Sequence, residues 1–156
     1  MNASEVIDLL KQKSNALHLE GMKRYAIDNS KALGVSMPQV RQLAKEIKKD
    51  QALSLELWET GIHECRILAS MIGDPKLVTP QQMDNWVADF HSWDVCDQVC
   101  GNLFDRTEFA IDKAIEYSPS EQEYIKRAGF VLMAEFAVHN KKADNKEFLR
   151  FFPIME

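Results

Sequence analysis

Apolar residues recur along this chain at spacings of three and four, the period of a helix with one buried face, and no stretch holds the strict alternation of a half-buried strand. Polar and helix-breaking residues divide the pattern into short segments. Asn2 or Ser4 can cap a first helix running to about His18, and a second, from about Glu20 to Leu33, is stopped by Gly34. Ser36 with Pro38 opens another that should reach about Lys49. Leu53 to Thr60 forms a short helix closed by Gly61, and Glu64 to Ile72 precedes the break at Gly73-Asp74-Pro75. Thr79-Pro80 is an N-cap and first-turn pair for a helix to about Phe90, and Ser92 caps the next through about Leu103. Residues 108–117 and 121–139 follow, and Asp144 or Asn145 caps a last helix.

Short links between roughly ten helices predict an all-α chain of antiparallel pairs stacked in series. Glu64-Cys65-Arg66-Ile67-Leu68-Ala69 is echoed by Ile125-Lys126-Arg127-Ala128-Gly129-Phe130, each on the second helix of a pair. The expected architecture is an α-solenoid of HEAT-like repeats, in which each pair buries its apolar face only against its neighbours; a compact helical bundle is the alternative. The length of 156 residues and the 46% apolar content suffice for one continuous core, so residues 1–156 are expected to form a single HEAT-like repeat domain. The closing run FLRFFPIME carries neither Gly nor a polar cap, from which the chain is expected to stop inside a repeat and to lack C-terminal repeats.

Charge qualifies this picture. The net charge of −5 speaks against a generic polyanion binder, but it is unevenly spread. Residues 1–50 hold nine Lys/Arg against six Asp/Glu, residues 51–105 two against nine, and basic positions return at Lys126, Arg127, Lys141, Lys142 and Lys146. A nucleic-acid partner stays open, ranked on charge alone below a protein partner. Three cysteines, Cys65, Cys96 and Cys100, with no basic and apolar leader at MNASEVIDLL, place the chain in a reducing, cytoplasmic setting. No apolar run approaches a membrane span. Cys96 and Cys100 are four apart and could join Cys65 and a His around zinc, yet no C-x-x-C or H-x-x-x-H pair supports a site, so the thiols are read as buried small hydrophobes and no metal or cofactor is expected. His18, His63, His91 and His139 show no metal spacing, and Trp58 and Trp86 are read as core.

The stretch SWDVCDQVC (92–100) gathers an indole, two carboxylates and two thiols. On a helix capped by Ser92, Trp93, Asp97 and Phe104 fall on one face beside an apolar stripe of Val95, Cys96, Val99, Cys100 and Leu103. Asp94 in the first turn complements the helix N-terminus. Gly101 leaves space next to Asp97. Two readings of Asp97 remain open from the residues alone: a carboxylate hydrogen-bonded to a neighbouring repeat, or one that, with an indole beside it, faces developing positive charge.

Leu33-Gly34-Val35 with Pro38 and Arg41, LWETGIHECRILAS (57–70), VTPQQMDNWVADFHSWDVCDQVC (78–100) and EYIKRAGFVLMAEFAVHNKK (123–142) together resemble the AlkD-type DNA alkylation repair glycosylases, a HEAT-like repeat family, over nearly the whole chain. The most specific element is Trp93-Asp94-x-x-Asp97 after a Trp86-bearing helix, with Lys126-Arg127-Ala128 downstream. The resemblance implies hydrolysis of the N-glycosidic bond of N3- or N7-alkylated purines in duplex DNA, without base flipping and without a metal. It implies that Asp97 stabilises a cationic sugar and positions water, that Trp93 packs on the deoxyribose, and that Arg127 contacts backbone phosphate. Lys126 and Tyr25 are implied on the DNA-facing surface, and the protein on the nucleoid when DNA is bound. A second tryptophan, which the family supplies from a later helix, has no counterpart here, so weak or absent glycosylase activity is expected of this chain. The competing function is a non-catalytic HEAT-like module that binds DNA structures or a protein.

Overall fold

The structure is a computed structural model that describes residues 1–25, 27 and 30–139. The helix expected from Asp144 or Asn145, the basic positions Lys141, Lys142 and Lys146, and the closing FLRFFPIME lie outside the described residues. Among the described residues every regular element is a helix, and the contacts divide the chain into two compact units, 1–77 and 78–156.

The first unit opens with α1 (Ala3–Lys11), capped by Asn2, whose side chain accepts from the Glu5 N–H at 2.9 Å. The long first helix expected to His18 is instead two helices. Asn15 interrupts it by capping α2 (Ala16–Arg24) through the N–H groups of Leu17 and His18, and its own N–H donates to the Gly34 carbonyl at 2.9 Å. α2 ends at Arg24, so the helix expected from Glu20 to Leu33 does not form, and Gly34 shapes a loop. At φ +80 it lies so close to Asn15 that a Cβ would stand 2.6 Å from that carbonyl oxygen. α3 (Met37–Ile47) begins where Ser36 and Pro38 place it, with the Gln39 side chain bonded back to the Ser36 N–H.

α4 (Gln51–Glu59) and α5 (His63–Ile72) form an antiparallel hairpin, as their cross-links show by running in opposite orders along the two helices. The Asp50 N–H donates to the Ile72 carbonyl, Ser54 Oγ to that of Ala69 and Arg66 Nε to that of Trp58, at 2.8, 2.7 and 3.2 Å. Glu64, 1% exposed in the first turn of α5, accepts from the N–H groups of Leu33, Gly34 and Val35 at 2.8 to 3.0 Å. Those residues lead into α3, so α3 and α5 start from the same end and run parallel.

The second unit repeats this plan. α6 (Pro80–Ala88) is capped by Thr79, and α7 (Trp93–Asn102) follows Ser92. A 3-10 turn at Phe104–Arg106, absent from the sequence reading, carries the chain to α8 (Ala110–Tyr117) and α9 (Glu123–His139). α8 and α9 pack backbone to backbone at Gly129, where a Cβ would fall 2.5 Å from the Ser118 nitrogen and 2.9 Å from the Ala114 carbonyl oxygen. α7 and α9 run parallel: Cys96 Sγ meets the Tyr124 carbonyl and Cys100 Sγ that of Ala128, both partners standing 28 positions further along the chain. The core here includes Met83, Trp86, Val99, Leu103, Phe104 and Leu132. Trp86 and Phe104 pack with ring centroids 5.8 Å apart. Because α7 stops at Asn102, Phe104 turns into this core and leaves the face of Trp93 and Asp97.

Candidate nucleic-acid interface and catalytic cluster

Ser92 stands at the start of α7 as expected, but no side-chain hydrogen bond from it caps the helix; Asp94 bends back to accept the Val95 N–H at 2.9 Å. Val95, Cys96, Val99 and Cys100 are buried, which leaves Trp93 and Asp97 at the rim of the core. The parallel seam with α9 then decides what faces them. With Cys100 against Ala128, the Arg127 side chain is delivered to Asp97 and to the face of Trp93.

Arg127 donates to both carboxylate oxygens, Nε to Oδ1 at 2.7 Å and Nη2 to Oδ2 at 2.8 Å. Its guanidinium carbon stands 5.7 Å from the Trp93 ring centroid, within cation–π range. The two charged side chains are 31% (Asp97) and 42% (Arg127) exposed, so solvent reaches both. The hydrogen bonds to Asp97 push the guanidinium above its already high range, outweighing partial burial, which acts the other way. The pair carries opposite charges in fork-to-fork geometry, the arrangement in which a guanidinium recognises a carboxylate or a phosphate.

The space expected beside Gly101 is occupied: a Cβ there would meet the Glu135 carboxylate at 3.3 Å. Glu135 lies two turns after Arg127 on α9 and brings a second carboxylate to the seam. Sequence reasoning passed over it, because only the α7 to α9 alignment, which no local pattern encodes, shows that the two positions meet.

Lys126 is exposed next to Arg127. Tyr25 belongs to the other unit, where it follows α2 beside the exposed Lys23 and Arg24 and is itself 72% exposed. The structure thus gathers Trp93, Asp97 and Arg127 into one cluster, with Lys126 adjoining on α9, while Tyr25 sits at the end of a helix in a separate unit. His91 lies 3.7 Å from Asp89 in the exposed turn before α7.

The three thiols are buried. Burial pushes Cys65 up to about 11, and Cys100 is raised well above its ordinary value by its hydrogen bond with Cys96 and by burial. Among the described residues no group of three or more His, Cys, Asp and Glu side chains is placed to hold a metal ion, and no helix is long and apolar enough to cross a membrane.

Residues 6–156 match the model of a family described as DNA alkylation repair enzyme. No curated protein matches the chain. A solved structure described as a new family of proteins related to the HEAT-like repeat DNA glycosylases with affinity for branched DNA structures superposes with a TM-score of 0.78 at 24% identity. The match covers 94% of this chain and 63% of that one, so this chain spans less than two thirds of that protein's length. The likeness shows the fold: helix pairs of the HEAT-like kind, as the periodicity predicts.

Proposed function

Because the chain belongs to the DNA alkylation repair enzyme family, we propose that it hydrolyses the N-glycosidic bond of N3- or N7-alkylated purines in duplex DNA, leaving an abasic site. One observation carries this reading: a carboxylate, an indole and a guanidinium, from Asp97, Trp93 and Arg127, converge on two parallel helices at a solvent-reached rim. Alkylation at N3 or N7 gives the base a formal positive charge and makes it a good leaving group, so the bond breaks toward an oxocarbenium-like sugar, as in glycoside hydrolysis. Asp97 then supplies the opposing negative charge and orients the attacking water. Trp93 offers an apolar face to the deoxyribose, Arg127 holds a backbone phosphate, and Lys126 and, in the other unit, Tyr25 each contribute to DNA binding. As the family resemblance implies, the base stays stacked, in contrast to glycosylases that flip it into a pocket.

A second reading, a non-catalytic HEAT-like module that holds DNA structures, is favoured by the Asp97–Arg127 pair itself, because a carboxylate neutralised by a guanidinium has little charge left for a sugar cation. The affinity of the superposed relative for branched DNA lies in the same direction.

The deciding experiment incubates alkylated duplex DNA with this chain and with Asp97→Asn and follows free 7-methylguanine and 3-methyladenine by chromatography. Weak release by the parent that disappears in Asp97→Asn, with binding retained, is the expected result. Equal release by both proteins removes Asp97 from the chemistry. Release by neither, with branched duplex still bound, favours the second reading for this chain.

A further inference from the structure

We propose that Arg127 is a phosphate-operated latch on Asp97: a DNA backbone phosphate draws the guanidinium off the carboxylate, and only then does the negative charge of Asp97 face the bound DNA. This rests on the DNA reading above and assigns Arg127 as a positioning residue.

The closed state is the one observed. Both oxygens of Asp97 are held, at 2.7 and 2.8 Å, so the pair presents almost no net charge to a ligand. Stabilisation of a cation by a fixed anion falls when an opposite charge stands within hydrogen-bond distance of that anion. The latch must therefore open for the carboxylate to act on a sugar that becomes positive.

Five features favour its opening toward a phosphate. A guanidinium fork fits a phosphate diester as well as it fits a carboxylate, so the exchange trades one bidentate contact for another. Both side chains reach solvent, so a phosphate can approach without any helix moving. The backbone of α9 stays seated, because Ala128, next in the chain, is fully buried against Cys100 of α7. The Trp93 ring, 5.7 Å from the guanidinium carbon, keeps an attractive face beside the departing cation, and exposed Lys126 adds positive charge at the same turn.

The exchange makes Asp97 a competitor of DNA for Arg127. Affinity for a short, undamaged, fluorescein-labelled duplex, measured by anisotropy, should rise about tenfold in Asp97→Asn, the worth of one charge-assisted contact no longer contested. In an Arg127→Ala background the same Asp97→Asn change should shift affinity by less than about twofold. Arg127→Gln repeats that arm with a polar side chain, and circular dichroism verifies that each variant is folded. An equal gain in all backgrounds would mean that only a surface negative charge had been removed, and would overturn the latch while leaving DNA binding intact. No gain in Asp97→Asn overturns it as well. Failure of the parent chain to bind either intact or branched duplex removes the DNA reading, and the latch with it.

Discussion

Gly129 meets Ser118 at a distance no side chain tolerates: a Cβ on the glycine would stand 2.5 Å from the serine backbone nitrogen. A methyl group at a helix interior normally stabilises by about 1 kcal/mol over glycine. Here the obstacle is backbone, which cannot swing aside, so overpacking decides the sign. Gly129→Ala should lower unfolding stability by about 1 to 3 kcal/mol in urea titrations. Gly21, inside α2 with nothing within 4 Å of its would-be Cβ, is the control, and Gly21→Ala should gain about 0.5 to 1 kcal/mol. Stabilisation by both substitutions would show that α8 and α9 do not approach so closely.

Glu64 anchors the loop before α3 by accepting three successive backbone N–H groups while itself buried. Glu64→Ala leaves those donors without their acceptor and should cost at least about 2 kcal/mol. Amide exchange at Leu33, Gly34 and Val35 should accelerate in a milder Glu64→Gln variant. Unchanged exchange there would mean that the loop is held by other means.

Asp84 couples stability to pH. Burial raises its carboxyl, but the hydrogen bonds from Lys113 at 2.8 Å and Tyr117 at 2.6 Å prevail and hold it below the ordinary carboxylate value. A depressed folded value means that the contribution is present above the unfolded value near 3.8 and is lost as pH falls through the lower folded one. The Asp84 side chain is 45% exposed, so the worth of the pair is held to about 1 kcal/mol or less. Thermal melts should show Asp84→Asn less stable than the parent at neutral pH, with the gap closing below about pH 4. A gap that widens in acid would reverse the assignment.

Cys65 and Cys100 should resist alkylation in the folded protein, since both thiols are held above the ordinary thiol value and lie in the core. Iodoacetamide at about pH 8 should add nothing at either site until denaturant is present, as read by peptide mass spectrometry. Rapid labelling of Cys65 in native buffer would contradict the packing of α5.

Lys126 tests the extent of the DNA-facing surface. Lys126→Ala should weaken binding similarly for all duplex sequences and reduce the slope of log affinity against log salt by about 1. A variant with parent affinity and slope would place the contact surface elsewhere.

Much of this was legible in the chain because it is local. The helix starts at Ser36 with Pro38, at Thr79-Pro80 and at Ser92 depend on residues within one turn, and all three are found where those residues stand. The errors have a common origin in contacts distant in sequence. Asn15 breaks the first helix because it also pairs with Gly34, and Leu33 and Gly34 are held outside a helix because Glu64, about thirty positions later, accepts their N–H groups. At the candidate site SWDVCDQVC shows that Trp93 and Asp97 share a face beside a buried stripe, but not what surrounds them. Arg127 on Asp97 and Glu135 beside Gly101 follow from the register between α7 and α9, which appears in neither helix by itself. Of the two readings left open for Asp97, the structure displays a carboxylate bonded to the next hairpin, and the latch describes how that state and a cation-facing one can alternate.

The parallel seam of α7 and α9 also governs which insertions and deletions the molecule survives. An added residue between Ser118 and Glu123 lengthens a connection whose following helix is indexed by Cys96 and Cys100, so the charged cluster should persist. One added between Cys96 and Cys100 rotates everything after it by about 100° and separates the sulfur ladder from the acid it aligns. Length variation in descendants of this chain should therefore collect in the hairpin bends and avoid the interior of α7.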